Sequence, residues 1–239
     1  MSDTPGRKAA PPDLDHLDAK AVLKWALDQY HPRIALASSL GAEDMVVLDL
    51  LVGIRPGVRV FTLDTGRLHA ETYEVLERAR RRYGVTIEVC FPDRSALEPL
   101  LQAKGFFSFR QSLEDRKECC RIRKTDPLKR KLRELDAWIT GLRREQAVTR
   151  ADVHKVETDE LNGGIVKVNP LADWTEAQVW DYIRAHNVPY NELHDKGFPS
   201  IGCQPCTRAV QPGEDLRAGR WWWESPEHKE CGLHGRVPR

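Results

Sequence analysis

Two pairs of cysteines and one later, solitary cysteine are the residues of this chain whose types and spacing could do chemistry. Cys119 and Cys120 are adjacent, Cys203 and Cys206 form a C-x-x-C hook, and Cys231 follows within Lys229-Glu230-Cys231-Gly232-Leu233-His234. Two pairs supply the number of thiols a metal centre needs, and a C-x-x-C turn lets two sulfurs share one ion. Adjacent side chains diverge, which crowds a single tetrahedral zinc but suits a cluster several ångström across. An iron–sulfur cluster is therefore favoured over zinc, and a disulfide comes last. Cys231 is then left over, with Lys229 and His234 beside it and Arg217, Arg220 and His228 upstream. Cations lower a thiol's pKa, and such a thiolate can attack an electrophile bound elsewhere. An incidental exposed thiol or a fifth metal ligand fits the spacing equally well. Cys90, inside an apolar strand pattern, reads as a small buried residue.

Something must bring these sulfurs together. The 239 residues are 41% hydrophobic and 31% charged, which suits one large α/β domain with an extension or two small domains. A net charge of +1 argues against wholesale nucleic-acid binding, and the basic runs at 78–82 and 116–133 read as solvated helix faces. Residues 1–18 are polar, carry Pro5, Pro11 and Pro12, and lack the apolar stretch of a signal peptide, so a disordered lead-in is expected. No apolar run reaches membrane-span length. The expected location is cytoplasmic, where cysteines serve metal binding and thiol chemistry more than structural disulfides. No membrane or nucleic-acid partner is expected, and the oligomeric state is open, a homo-oligomer included.

Hydrophobic periodicity predicts helices over 19–29, 45–51, 68–83, 97–103, 113–135 and 175–186, the last capped by Thr175 or Asp173. Strands are predicted at 33–39, 58–63, 86–91, 137–140 and 165–168. This alternation implies α/β architecture, a parallel sheet covered by helices on both faces. Ligands of such sheets sit at the carboxyl ends of the strands, and three such ends carry ligand-like groups: Ser38–Asp44, Asp64-Thr65-Gly66 and Gly141–Arg144. In the first, a helix N-terminus with Ser38, Ser39 and Gly41 could accept phosphate or sulfate oxygens. It lacks the Gly-Lys-Ser/Thr ending of a Walker A loop. Arg143, Arg144, Arg150, Arg217 and Arg220 offer guanidinium forks for the same oxygens. The expected organisation is a lead-in over 1–18, a nucleotide-binding and cluster domain over 19–200, and a loop-rich C-terminal segment over 201–239 with a mobile tail carrying Cys231.

Taken together, these motifs resemble the assimilatory adenylyl-sulfate reductases, relatives of the 3′-phosphoadenylyl-sulfate reductases, from about Ala35 to His234. The resemblance rests on Ser38-Ser39-Leu40-Gly41-Ala42-Glu43-Asp44, Leu63-Asp64-Thr65-Gly66-Arg67, Cys119-Cys120-x-x-x-Lys124, Thr140-Gly141-Leu142-Arg143-Arg144, Cys203-x-x-Cys206 and Lys229-Glu230-Cys231-Gly232-Leu233-His234. One departure is Ala147, where the family often has Ser after Gln. The resemblance implies an adenine-nucleotide hydrolase-like fold. It also implies a [4Fe–4S] cluster on Cys119, Cys120, Cys203 and Cys206, with Cys231 as nucleophile and Lys124 between cluster and sulfate. Ser38, Gly41, Glu43, Leu63 and Gly141 would line the nucleotide pocket, and Arg150, Arg217 and Arg220 would hold the phosphosulfate. Ser39, Thr65, Gly66 and Arg143 join this set from the strand ends, and His234 joins the catalytic group. The implied activity is reduction of adenylyl sulfate to sulfite and AMP in sulfate assimilation, with thioredoxin or a similar dithiol as donor. Two alternatives stay open, the 3′-phosphorylated substrate and a non-catalytic zinc module.

Overall fold

The computed structural model describes residues 11–147, 150–225, 229 and 232–233. Its sheet has the strand order β3-β2-β1-β4-β6-β5. Strands β1 (Ile34–Ala37), β2 (Val60–Leu63), β3 (Ile87–Cys90), β4 (Ala137–Ile139) and β6 (Ile165–Val168) run parallel. The edge strand β5 (Val156–Asp159) runs antiparallel to β6.

Side chains alternate across a strand, so each strand feeds two cores. On one face Ile34, Leu36, Val60, Ile139 and Val168 pack under α1 (Ala19–Tyr30), α2 (Ala42–Ile54), α3 (Ala70–Tyr83) and α7 (Glu176–His186). On the other, Ala35, Phe61, Trp138 and Ile165 pack against Leu128 and Leu132 of α6 (Asp126–Leu132). The expected sheet, covered on both faces, is the sheet observed. Strand β5 was not expected. Two of its four residues, Glu157 and Asp159, are acidic and it has one partner strand, so it shows no apolar run.

The single helix expected over 113–135 is in fact three pieces. After α4 (Arg94–Lys104), α5 (Leu113–Cys120) passes into a π-helical turn, Arg121–Thr125, and then into α6. Pro127 in the first turn of α6 has no N–H for the carbonyl four residues back, and the widened turn falls directly before it. This turn joins the helix end that carries Cys119 and Cys120 to Lys124. Helix α2 begins three residues earlier than expected, because Gly41 stands at its N-cap and Glu43 and Asp44 fill its first turn. Thr175, rather than Asp173, caps α7 in a capping box with Gln178; Asp173 instead pairs with Lys155 at 2.7 Å.

The described part of the expected lead-in, residues 11–18, is packed. Leu14 and Leu17 lie against the main core, and Asp15 accepts from the Lys155 amide at 2.8 Å and pairs with Arg144 at 2.7 Å. Residues 1–10 lie outside the described residues. Among the described residues the C-terminal segment has no separate core. Gln204 N–H donates to Arg67 O at 2.8 Å, and Trp221 is buried between α5 and the C-x-x-C turn.

Candidate active site

Strands β1 and β4 are neighbours although the chain visits two strands between them. That is the switch point where crevices form at strand ends in doubly wound sheets. A cleft of about 250 Å³ lies here. The first α2 residues line it, and Gly41 provides no side-chain cap, so the helix's leading N–H groups remain suited to an anion. Leu40, with φ 62°, holds a left-handed conformation that turns the chain into α2 while burying its own side chain.

Two contacts cross the switch point. The Asp44 carboxylate accepts from Ser39 N–H and Ser39 Oγ, each at 2.6 Å, and from Gly141 N–H at 2.9 Å. Gly141 is needed for that approach, because a Cβ there would lie 2.5 Å from Asp44 Oδ1. Beside it, Glu43 receives Arg143 Nε at 2.9 Å and Nη2 at 2.8 Å. Arg143 also donates to Trp174 O at 3.4 Å and is 4% exposed, so this guanidinium serves as a strut between loops rather than as an open anion fork.

The sequence places Asp44 in the Ser38–Asp44 strand end but gives it no role of its own, since a carboxylate in a helix's first turn carries no mark of its long-range partner. Burial, aided by the neighbouring Glu43 and opposed by the bonds from Ser39 and Gly141, pushes its carboxyl up to about 6. Its folded pKa thus exceeds the ordinary value, so between pH of about 4 and about 6 the folded state binds more protons than the unfolded state. This group's contribution to stability therefore falls as pH rises through that window and is constant above it. An Asp44→Asn variant is expected to lose this slope relative to the wild type in pH-dependent melting. The amide replaces one accepting oxygen by an NH2 donor that faces an N–H donor, and loss of one such bond should weaken AMP binding about tenfold in calorimetry. Identical slopes and affinities would refute the assignment.

The remaining sequence-predicted residues divide as follows. Ser38, Ser39, Gly41, Glu43, Leu63 and Thr65 line the cleft, as do Gly141, Arg143, Arg150, Arg217, Arg220 and Lys124. Gly66 does not. It forms a turn with φ 69° and donates its N–H to Asp64 at 2.7 Å. Arg144 turns away to Asp15 and Val153 O. Arg150 is held by Gln146 at 2.5 Å. Asn191, from a loop, and His194, which opens the short 3-10 turn His194–Lys196, line the cleft unanticipated. Cys231 and His234 lie outside the described residues. Of their neighbours, Lys229 O accepts from Arg217 at 2.8 Å, and Leu233 lines the cleft.

A second, smaller cavity adjoins the first. Cys119, Cys120, Cys203 and Cys206 all line it, together with Arg67, Arg116, Arg123, Lys124 and Arg220. Lys124 and Arg220 line both cavities and so form their common wall. Arg220 is fixed there by Ser200 Oγ and Ile201 O, each at 3.2 Å, and by the Trp221 ring at 4.6 Å. The C-x-x-C sulfurs are free thiols, as are Cys90, Cys119 and Cys120. Burial alone would raise the Cys203 thiol, but Lys124, a hydrogen bond to Thr65 Oγ1 at 3.3 Å, Arg220 and Arg123 hold it below its ordinary value. Burial and the facing sulfurs push Cys206 up to about 12.

Four thiols on one cavity are a donor set that a metal centre could use. Among the described residues no group of three or more His, Cys, Asp or Glu is arranged, as it stands, to hold a metal ion. Facing thiols that oppose one another's ionisation need positive charge between them. Arg123 Nε and the Trp221 indole N–H are also buried at this cavity without a hydrogen-bond acceptor among the described residues, and cluster sulfurs accept such bonds.

A doubly wound α/β fold with a thiol-lined cavity against its strand-end cleft defines a narrow class of protein. The sequence pattern of the phosphoadenosine phosphosulfate reductase domain matches residues 33–209. The chain belongs to that family. It is 52% identical over 221 residues to the adenosine 5′-phosphosulfate reductase of Burkholderia cepacia, covering 92% of this chain and 87% of that one. It is 55% identical over 208 residues to the enzyme of the same name from Allochromatium vinosum, covering 86% and 81%. The crystal structure of a phosphoadenylyl-sulfate reductase from Candida auris, in complex with phosphate, superposes with a TM-score of 0.69 at 29% identity, over 81% of this chain and 91% of that one. Candida glabrata FMN adenylyltransferase shares the fold, with a TM-score of 0.56 at 16% identity over 89% and 74%.

Proposed function

We propose that the chain is a reductase of adenylyl sulfate in sulfate assimilation, releasing sulfite and AMP through a sulfonated Cys231. The observation that carries the mechanism is the common wall: Lys124 and Arg220 face the nucleotide cleft on one side and the cysteine cavity on the other. The relatives named above as adenosine 5′-phosphosulfate reductases favour the substrate without a 3′-phosphate.

Adenylyl sulfate binds with its nucleotide across the switch point and its phosphosulfate toward Lys124, Arg217 and Arg220. The Cys231 thiolate attacks sulfur, the bond from sulfur to the phosphate oxygen breaks, and AMP leaves with that electron pair. Cys231 then carries a sulfonate. A thiolate of a dithiol protein such as thioredoxin attacks the Cys231 sulfur and releases sulfite. The donor's second thiol resolves the mixed disulfide, so the donor ends as a disulfide and supplies both electrons. Both early reactants are anionic, and preorganised cations at the wall offset their repulsion.

Cys119, Cys120, Cys203 and Cys206 would hold a [4Fe–4S] cluster, which when bound supplies a fixed, polarising charge beside the sulfate and no electrons to the balance above. Protein purified anaerobically should be brown, with iron and acid-labile sulfide, and should release sulfite from adenylyl sulfate faster than from its 3′-phosphorylated form. A Cys203→Ser variant is expected to lose most of the visible absorption. Zinc without iron, or an unchanged spectrum in the variant, would remove the cluster from the account.

A further inference from the structure

Arg116 lies one helical turn before Cys120 on α5 and lines the cysteine cavity, but not the cleft. Its guanidinium forms a two-pronged ion pair with Glu224, Nε to Oε1 at 2.9 Å and Nη2 to Oε2 at 2.8 Å. The two side chains are 2% and 9% exposed, and the residues stand 108 apart in the chain. The same guanidinium lies 5.0 Å from the centre of the Trp221 ring, and Arg116 and Cys120 line the same cavity.

Stability is a poor reason for this arrangement. Buried ion pairs contribute little next to apolar replacements of the same shape, although removing one partner is costly. Placing a carboxylate near several thiolates adds repulsion as well. The neighbouring cavity cations Arg67 and Arg123 are held by backbone carbonyls instead, Phe106 O at 2.5 Å and Thr65 O at 2.6 Å. What a carboxylate fork adds is orientation, because two parallel bonds fix the guanidinium plane. With that plane fixed and the Trp221 ring against it, the guanidinium's remaining N–H groups are held in one orientation at the cavity wall.

We infer that Arg116 and Glu224 are a positioning pair for the cysteine centre, in which Glu224 locks the Arg116 guanidinium so that it donates to the Cys120 sulfur. The inference rests on reading the four cysteines as cluster ligands. Hydrogen bonds to ligand sulfur tune the metal–sulfur bond and the retention of the metal. The pair thereby sets how firmly the Cys120 corner of the centre is held.

The test uses anaerobically purified wild type, Glu224→Gln and Arg116→Lys. Glu224→Gln keeps size and one acceptor; Arg116→Lys keeps charge and loses the fork. Far-ultraviolet circular dichroism and AMP binding check the fold and the cleft, and Glu224→Gln alone carries the test if the lysine variant does not fold. Both variants should bleach several-fold faster in an iron chelator. While still loaded, they should show a shifted iron–cysteine stretching frequency in resonance Raman spectra, which a merely loosened fold would not produce. Wild-type bleaching rates with an unshifted stretch would overturn the pair's role and leave the cluster reading intact. Wild-type protein without iron or sulfide would overturn both.

Discussion

A Cys231→Ser variant is expected to bind adenylyl sulfate normally and to lose sulfite release by at least about 10³-fold, since removing a nucleophile removes the covalent route altogether. The proposed binding groups are elsewhere, on the strand-end loops and on Arg217 and Arg220; among the described residues Gly141 is tied to Asp44 and Arg220 to Ser200. Serine is nearly isosteric with cysteine but stays protonated at neutral pH, so positive surroundings that favour a thiolate do not rescue it. Mass spectrometry of a single turnover without reductant should find one sulfonate on Cys231 of the wild type and none on the variant. Sulfonation at another cysteine, or turnover within about tenfold of wild type, would end the assignment.

A Lys124→Gln variant is expected to lower kcat/KM by about 10² to 10³, the usual cost of removing one preorganised charge from a site where charge is redistributed. Lys124 stands in the π turn and contributes to both cavities; its charge is among those that lower the Cys203 thiol. Glutamine removes the charge at one atom's cost in reach and preserves helix propensity. The loss should fall mainly on the sulfate-bearing substrate, with AMP affinity changed far less, because AMP lacks the group that meets the wall. Equal losses for AMP and adenylyl sulfate would make Lys124 an ordinary phosphate contact. An effect below about tenfold would take it out of the reaction.

Much of the scaffold could be read directly because it rests on local signals. Ile34-Ala35-Leu36-Ala37, Val60-Phe61-Thr62-Leu63 and Ala137-Trp138-Ile139 are apolar on both faces, as central parallel strands must be, and their ends carry small and charged residues. The cysteine spacing was likewise local, and the four sulfurs do come to one cavity. What escaped depends on partners remote in sequence. Asp44 meets Gly141 across 97 positions and Arg143 meets Glu43 across 100, and no periodicity encodes such pairings. Arg143 was expected to bind substrate because a guanidinium after a strand usually can; here a carboxylate reaches it first. Gly66 was grouped with the ligand residues, yet its positive φ serves the turn. The π turn was hidden because Leu113–Cys120 and Asp126–Leu132 each look helical, and only Pro127 hints at a changed ladder between them.

Because Lys124 and Arg220 border two compartments at once, occupancy of either compartment is linked to occupancy of the other. An anion that draws their ammonium and guanidinium charge toward the nucleotide side reduces what remains for the thiolates, whereas one that merely orders them steadies both. Linkage makes any such effect mutual: the factor by which a guest in the cleft alters affinity in the cysteine cavity equals the factor by which a guest in that cavity alters affinity in the cleft.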